Sequence, residues 1–358
     1  MITEIHIKGY KSIRDQVVPL SSINILIGGN GVGKSNFISV FSLVRNIYNK
    51  NLRSYVIEKG GADSFLHFGK KKTEKIEIDF FFGGNGDAYN RFIVTLGLAQ
   101  DNLFVKSTET AFYSGIWHRR VYERDVTESN FKSYHTGQAY YVNDMLSEFE
   151  VYHFHDTGDK SPMKGKSQVY DNRFLRRDGS NIAAFLYYLQ QKHPKHFARI
   201  EKAIQSIAPF FEAFSLEPDR LNEDEIQLTW SEKGSDSLFN AYHLSDGTLR
   251  FICLATLLMQ PEPPVTIIID EPELGLHPVA INKLAGLIRK ASVKTQIIIS
   301  SQSVNLVDNF EPENIIVSDR ENNASIFRRL EKNELDSWIK DYSMGEIWEK
   351  NIIGGQPL

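Results

Sequence analysis

The sequence is poor in cysteine, with one, Cys253, among 358 residues. A lone thiol excludes an intramolecular disulfide, and its place inside an apolar stretch marks it as core. A reducing, cytoplasmic compartment is therefore expected. No run of 18 or more apolar residues occurs, so no membrane-spanning helix and no membrane partner is expected. Met1-Ile2-Thr3-Glu4-Ile5-His6-Ile7 alternates like a strand and lacks the basic and apolar regions of a signal peptide. Internal repeats and low-complexity segments are absent. So is a strong charge of one sign: the net charge of −4 does not suggest a protein coated with nucleic acid. Basic clusters at Lys70-Lys71-Lys72, His118-Arg119-Arg120, Lys160 to Lys166, and Arg173 with Arg176-Arg177 read as solvated faces, any of which DNA could meet. Metal-ligand spacing is confined to His153-Phe154-His155-Asp156. In a strand the two histidines would share a side, but without a second ligand cluster they read as packed or hydrogen-bonding residues.

What is present begins with an apolar run, Ile23-Asn24-Ile25-Leu26-Ile27, leading into Gly28-Gly29-Asn30-Gly31-Val32-Gly33-Lys34-Ser35. The spacing G-x-x-x-x-G-K-S between a strand and a helix is that of a phosphate-binding loop. Glycines let backbone N–H groups turn inward around phosphates, and the new helix points its positive end at them. Lys34 is placed to reach the β/γ-phosphates and the Ser35 hydroxyl to ligate Mg²⁺. The helix from Asn36 to Asn49 repeats Phe37, Val40, Phe41, Val44 and Ile47 at the helical period.

Residues 1 to 28 read as two strands, the second delivering the loop. Residues 50 to 73 read as loop with at most a short helix. From Glu74 the period becomes two: Lys75 to Phe80, Arg91 to Leu98 and Leu103 to Phe112 form an antiparallel meander, turning at Gly83-Gly84-Asn85-Gly86-Asp87 and Gln100-Asp101-Asn102. Residues 113 to 178 read as loop-rich with isolated strands, the clearest from Glu150 to Phe154. Ser180-Asn181 can cap a helix from Ile182 to Gln191, and another runs from Lys195 to about Ala208. Short strands are expected at Leu216 to Pro218 and Glu225 to Trp230.

The last third alternates helix and strand. Leu244-Ser245-Asp246-Gly247-Thr248 precedes an apolar helix, Leu249 to Met259. Val265 to Ile269 is a buried strand ending in Asp270-Glu271, expected to lie beside the phosphate loop. Asp270 can hold the Mg²⁺ shell and Glu271 can polarise the attacking water. Pro272-Glu273-Leu274-Gly275-Leu276-His277-Pro278, a helix from Val279 to about Ala291, and a strand from Gln296 to Ile299 follow, then Ser300-Ser301-Gln302-Ser303. Such alternation means a parallel sheet, with ligands at the strands' carboxyl ends. No Asn-Lys-x-Asp occurs, which argues for ATP over GTP.

Phosphate loop, Leu-Ser-x-Gly before a helix, and Asp-Glu-Pro-Glu-x-Gly-Leu-His-Pro, in that order, resemble the ABC-type ATPase head. More narrowly they resemble the RecF/SMC-like and OLD-like predicted ATPases of bacteria, in a stand-alone subgroup without a nuclease domain. Leu175 to Asn181, Ser245 to Phe251 and the tail from Tyr342 to Gly355 carry the narrower likeness. The resemblance implies an α/β fold, an ABC-type P-loop NTPase head: a mixed sheet with central parallel strands and an antiparallel β-subdomain, plus an inserted helical or irregular subdomain. Residues 1–50 and 244–330 would form the nucleotide-binding core, 74–156 the β-subdomain, 157–243 the insertion and 331–358 a C-terminal tail. It implies ATP and Mg²⁺ as cofactors, with Gly28, Asn30, Gly31, Gly33, Lys34, Ser35 and Asn36 on the nucleotide. Ser35 and Asp270 would hold the metal, with Glu271, Lys34 and Gln302 catalytic. Two heads would sandwich ATP head to tail, Ser245 and Gly247 contacting the γ-phosphate held by the partner.

Two departures stand out. Family members often place a His after the last core strand; Gln302 stands here, cannot become cationic, and implies slow hydrolysis. The glutamine loop of ABC heads is matched either by Gln138 or by the His155-Asp156 region. Residues 50 to 243 lack the heptads of a long coiled-coil arm. Only 87 residues follow Glu271 and they hold no Asp-x-Asp pair, so a nuclease or toxin effector is expected on a separate chain. DNA maintenance or defence against phage is the expected setting. The rival expectation is an ATP-locked DNA-binding or scaffold protein with negligible turnover.

Overall fold

The computed structural model of the chain describes residues 1–83 and 89–356. The turn expected at Gly83-Gly84-Asn85-Gly86-Asp87 lies, from Gly84 onward, outside the described residues. The chain divides into two compact units. The first comprises Met1–Val151, Pro264–Ile268 and Thr295–Leu358; the second comprises Tyr152–Pro263 and Ile269–Lys294.

The first unit is centred on two sheets and one long helix, with further helices such as Leu52–Glu58 and Gln138–Ser147 around them. The antiparallel sheet runs in the order Ile13–Pro19, Ile2–Tyr10, Lys75–Gly83, Tyr89–Ala99, Asn102–Tyr113 and Trp117–Val126. Its alternation is plain in Lys75–Gly83, where Ile76, Ile78, Phe80 and Phe82 are buried while Lys75 is exposed. The expected meander is observed, with Ile78 opposite Val94 and Phe92 opposite Thr110.

The second sheet, mixed, runs in the order Ala324–Arg329, Ile315–Glu321, Ile23–Ile27, Gln296–Ser300, Thr266–Asp270 and Phe149–Tyr152. Ile23–Ile27 pairs in parallel with both its neighbours. All five of its residues are buried, as central parallel strands require. The helix Lys34–Tyr48 fills the space between the sheets. Phe41 meets Phe80 of the antiparallel sheet at 5.5 Å between ring centroids, and Phe37 meets Phe327 of the mixed sheet at 5.2 Å.

Several expectations need correction. Residues 1–28 form three strands rather than two, because Ile13–Pro19 folds back on Ile2–Tyr10 as an edge strand that exposes Arg14, Asp15, Val17 and Pro19. Residues 113–178 hold the long strand Trp117–Val126 and the helix Gln138–Ser147. That strand closes the sheet edge and exposes its side chains, so its basic sequence shows no apolar alternation. The carboxylate-bearing strand Thr266–Asp270 is not beside the loop strand; Gln296–Ser300, equally apolar and wholly buried, stands between them.

In the second unit the helix Asp246–Met259 is buried on nearly all sides from Thr248 to Leu258, as its continuous apolar sequence demands. Helices Ile182–Lys192, Pro194–Gln205 and Pro278–Ala291 and two three-stranded sheets complete this unit. Asn181 precedes the first of these helices, yet its side chain makes no cap. It accepts from the Arg176 N–H and donates to the Asp171 and Phe174 carbonyls, organising the preceding loop instead.

Candidate functional site

The phosphate-type loop leaves the sheet after Ile27 and enters its helix at Lys34. No side chain caps that helix, and its first turn carries no acidic residue. Its leading N–H groups and positive end are therefore left for an anion to satisfy, which fits a bound phosphate. The Lys34 side chain is buried, 5% exposed, and its Nζ donates to the carbonyls of Gly28 at 2.6 Å and Gly29 at 2.9 Å. The ammonium is thus held over the loop it would serve.

Gly33 is required by its surroundings. Its φ is +114°, and a Cβ there would collide with the Ser325 hydroxyl and lie 2.9 Å from that of Ser12. These hydroxyls brace the loop: Ser325 Oγ donates to the Val32 carbonyl at 2.5 Å, lies 2.7 Å from Ser12 Oγ, and Asn36 Nδ2 donates to Ser12 Oγ at 2.7 Å. Asn36 therefore reaches Ser12 through its side chain. Nothing in the local sequence pointed to Ser12, which sits in the turn between two strands, or to Ser325, near the start of Ala324–Arg329. The hairpin carrying Ser325 turns at Asn322-Asn323, which take φ of +49° and +62°, and paired asparagines are a turn signal because they tolerate left-handed backbone.

Gln302 follows Gln296–Ser300, whose Ser300 is in register with Leu26 of the loop strand; the Ser301 N–H donates to the Leu26 carbonyl at 2.9 Å. Parallel pairing thus brings Gln302, exposed, out at the same end of the sheet as Gly28. Chemically it can donate to or accept from a phosphate or water there, without adding charge.

The other expected residues lie in the second unit. Asp270 ends its strand half-buried, and Glu271 follows with φ of +41°, left-handed backbone that a residue with a Cβ adopts at a cost of about 1–2 kcal/mol. Such strain aims the Glu271 side chain differently from a continuing strand. Ser245 is the N-cap of Asp246–Met259, its Oγ accepting from the Thr248 N–H at 3.2 Å. Gly247 sits in that helix's first turn against the Gly275 carbonyl, at a spacing no Cβ could enter. The segment after the carboxylates is therefore packed on the helix start. Arg250 braces both: it donates to the Phe154 carbonyl at 2.8 Å and the His155 carbonyl at 3.1 Å, and a Cβ on Gly275 would lie 3.0 Å from its Nη1. Burial lowers the Arg250 pKa from its ordinary value.

Gln138 starts the helix Gln138–Ser147, its amide donating to the His118 carbonyl and accepting from the Thr110 hydroxyl. His153 and His155 lie beyond the strand Phe149–Tyr152, with their ring centroids 6.2 Å apart. Among the described residues no cluster of three His, Cys, Asp or Glu could hold a metal by itself. Cys253 is buried beside Met163, and burial pushes its thiol pKa up. No helix among the described residues is long and apolar enough to cross a membrane.

The profile of the AAA_21 family, described as "AAA domain, putative AbiEii toxin, Type IV TA system", matches residues 23–308. Among solved structures, an Smc head bound to the C-winged helix domain of ScpA is similar at a TM-score of 0.63 and 14% identity, over 94% of this chain and 99% of that one. An Smc head domain with an extended coiled coil, bound to the C-terminal domain of ScpA and derived from Pyrococcus furiosus, gives 0.59 and 13%, over 95% and 98%. The SMC head domain from Thermotoga maritima gives 0.50 and 14%, over 92% and 99%. Among curated proteins none matches the chain. At these identities the likeness is one of fold, that of an ABC-type ATPase head.

Proposed function

This chain belongs to the AAA_21 family, and from that premise we propose that it binds and hydrolyses ATP as a nucleotide-dependent dimerisation switch. The observation that carries this reading is the uncapped helix start at Gly33-Lys34, with the Lys34 ammonium buried over the loop. Gly28, Asn30, Gly31, Gly33, Lys34, Ser35 and Asn36 would surround the phosphates, with Ser35 and Asp270 holding Mg²⁺. The metal would neutralise charge on the β- and γ-phosphate oxygens. Lys34 would exchange the loop carbonyls for phosphate oxygens, and Glu271 would orient and polarise the attacking water.

Ser245 and Gly247 support the dimeric half of the reading. A hydroxyl, a backbone that admits close approach and a helix N-terminus together make an anion site. In a two-fold dimer each chain would offer that site to its partner's γ-phosphate. Gln302 cannot become cationic, which favours slow turnover suited to a switch. Two of the similar heads were solved with a fragment of a partner protein, ScpA; here the corresponding partner would be a separate effector chain, nuclease or toxin. DNA maintenance or defence against phage, within the RecF-like and OLD-like setting, is the proposed context, with DNA as a candidate signal.

Gln302 also favours one rival, an ATP-locked scaffold that binds DNA without turnover. Phosphate release by wild type and Glu271→Gln, with and without duplex DNA, separates the two. Turnover in wild type that falls at least a hundredfold in Glu271→Gln supports hydrolysis, and stimulation by duplex DNA names the signal. Tight ATP binding with no phosphate release in wild type leaves the scaffold.

A further inference from the structure

Lys72, the last of the three consecutive lysines, lines a groove of about 700 Å³ in the first unit, against the antiparallel sheet. Its cations are Lys8, Arg14, Lys72, Lys75 and Lys106, and its acids Glu74 and Glu77. Lys8 is matched by Asp15 at 3.1 Å and Lys75 by Glu77. Arg14, Lys72 and Lys106 form no ion pair among the described residues, so the groove keeps unmatched positive charge.

Its floor is built by close backbone approach. Gly9 has φ of +72°, and a Cβ there would lie 2.5 Å from the Lys75 carbonyl oxygen. The Lys11 and His67 N–H groups tie the two segments together, donating to the Phe65 and Gly9 carbonyls at 2.8 and 3.0 Å. Phe68 is left-handed, φ +57°, and 55% exposed, an expensive conformation and setting for a large aromatic residue.

His67 points to the ligand. It lines the groove and is 5% exposed. Its Nδ1 lies 2.7 Å from the Lys11 carbonyl, which can only accept, so Nδ1 carries a proton and, in the neutral ring, Nε2 is an acceptor. That Nε2 is buried without a hydrogen-bond partner, a cost that a ligand donor would relieve. Cations call for an anion, and the histidine acceptor for a hydroxyl or N–H on the same molecule. We propose that this groove is a second ligand site, distinct from the phosphate loop, for a phosphorylated ligand of mononucleotide size bearing such a donor. Two sources share this chemistry, a free nucleotide and the phosphorylated end of a nucleic-acid strand.

The test titrates AMP, 5′-phosphorylated oligothymidine and unphosphorylated oligothymidine into the full chain by calorimetry. Wild type is compared with Lys34→Ala, with the surface double variant Lys72→Glu/Lys106→Glu, and with His67→Asn, whose amide can still reach the Lys11 carbonyl. The expected result is binding of AMP or of the phosphorylated strand that is unchanged in Lys34→Ala and at least tenfold weaker in both groove variants. Meanwhile ATP binding at the phosphate loop should stay intact in the groove variants, which also reports that they fold. AMP alone would identify a free nucleotide, the phosphorylated strand alone a strand end. Absence of binding in wild type at low-millimolar ligand overturns the proposal. So does binding indifferent to the groove substitutions or lost in Lys34→Ala, and so does equal binding of the unphosphorylated strand. None of those failures bears on hydrolysis at the phosphate loop.

Discussion

Lys34 and Gly33 show how one residue's chemistry depends on its neighbour's absence of a side chain. The ammonium sits over the loop because the backbone turns left-handed at Gly33, and that turn is held against Ser12 and Ser325. Gly33→Ala adds both a strained φ and a collision with the Ser325 hydroxyl. We expect nucleotide affinity to fall at least a hundredfold in a chain that retains its far-ultraviolet dichroism, read by equilibrium binding of a fluorescent ATP analogue; affinity within twofold of wild type would contradict the role assigned to the loop. Ser325→Ala is milder. Removing the donor to the Val32 carbonyl should cost about 1–2 kcal/mol of stability, read by chemical denaturation. A second residue-scale effect lies in Glu201, whose carboxylate accepts from the Phe214 N–H at 2.9 Å while burial raises its pKa. A carboxyl with a raised folded-state value costs stability above that value and nothing below the unfolded one. Glu201→Gln keeps an acceptor oxygen, so it should melt higher than wild type at pH 7. That advantage should fade as the pH falls through the raised value toward the ordinary carboxylate value of 4.5.

At the scale of elements, the helix Lys34–Tyr48 is both the loop's base and the core's centre. Phe41 packs on Phe80 and Phe149, at 5.5 and 5.9 Å between centroids. Phe41→Ala should cost about 3–5 kcal/mol, visible as a lower denaturation midpoint; a loss under about 1 kcal/mol would mean that the helix is not packed between the sheets as described. This helix, its strand and the meander were legible because their apolar residues repeat at clean periods of 3.6 and two. The strand Trp117–Val126 was not, because an exposed edge imposes no apolar alternation. Gln296–Ser300 was readable as a strand, yet its place between the loop strand and Thr266–Asp270 was not, since strand order depends on crossovers that local pattern does not encode. Ser12 and Ser325 escaped for the same reason: their meaning comes from residues hundreds of positions away. The helix Asp246–Met259 starts earlier than its apolar run, which places Gly247 within its first turn. Gly247→Ala suits helix propensity but forces the Gly275 carbonyl away. ATP binding should survive in Gly247→Ala while turnover falls at least tenfold, in a phosphate-release assay at saturating ATP.

For the whole molecule, the fold is that of an ABC-type ATPase head, and the proposed function asks two elements of the chain to face phosphate. One is the loop at Gly28–Ser35; the other is the helix start at Ser245–Gly247. On the proposed reading two copies would complete each other's sites, so assembly and nucleotide state would be linked, and a ligand that binds only the dimer would drive dimerisation by mass action. Slow hydrolysis, with Gln302 near the loop, would set how long the dimer lasts. The most direct measurement is solution mass, by light scattering after gel filtration, of Glu271→Gln with ATP and Mg²⁺, beside the same variant without nucleotide and beside Lys34→Ala. The account predicts a doubled mass only for Glu271→Gln with ATP. A Glu271→Gln chain that binds ATP tightly and keeps the mass of a single copy would contradict it.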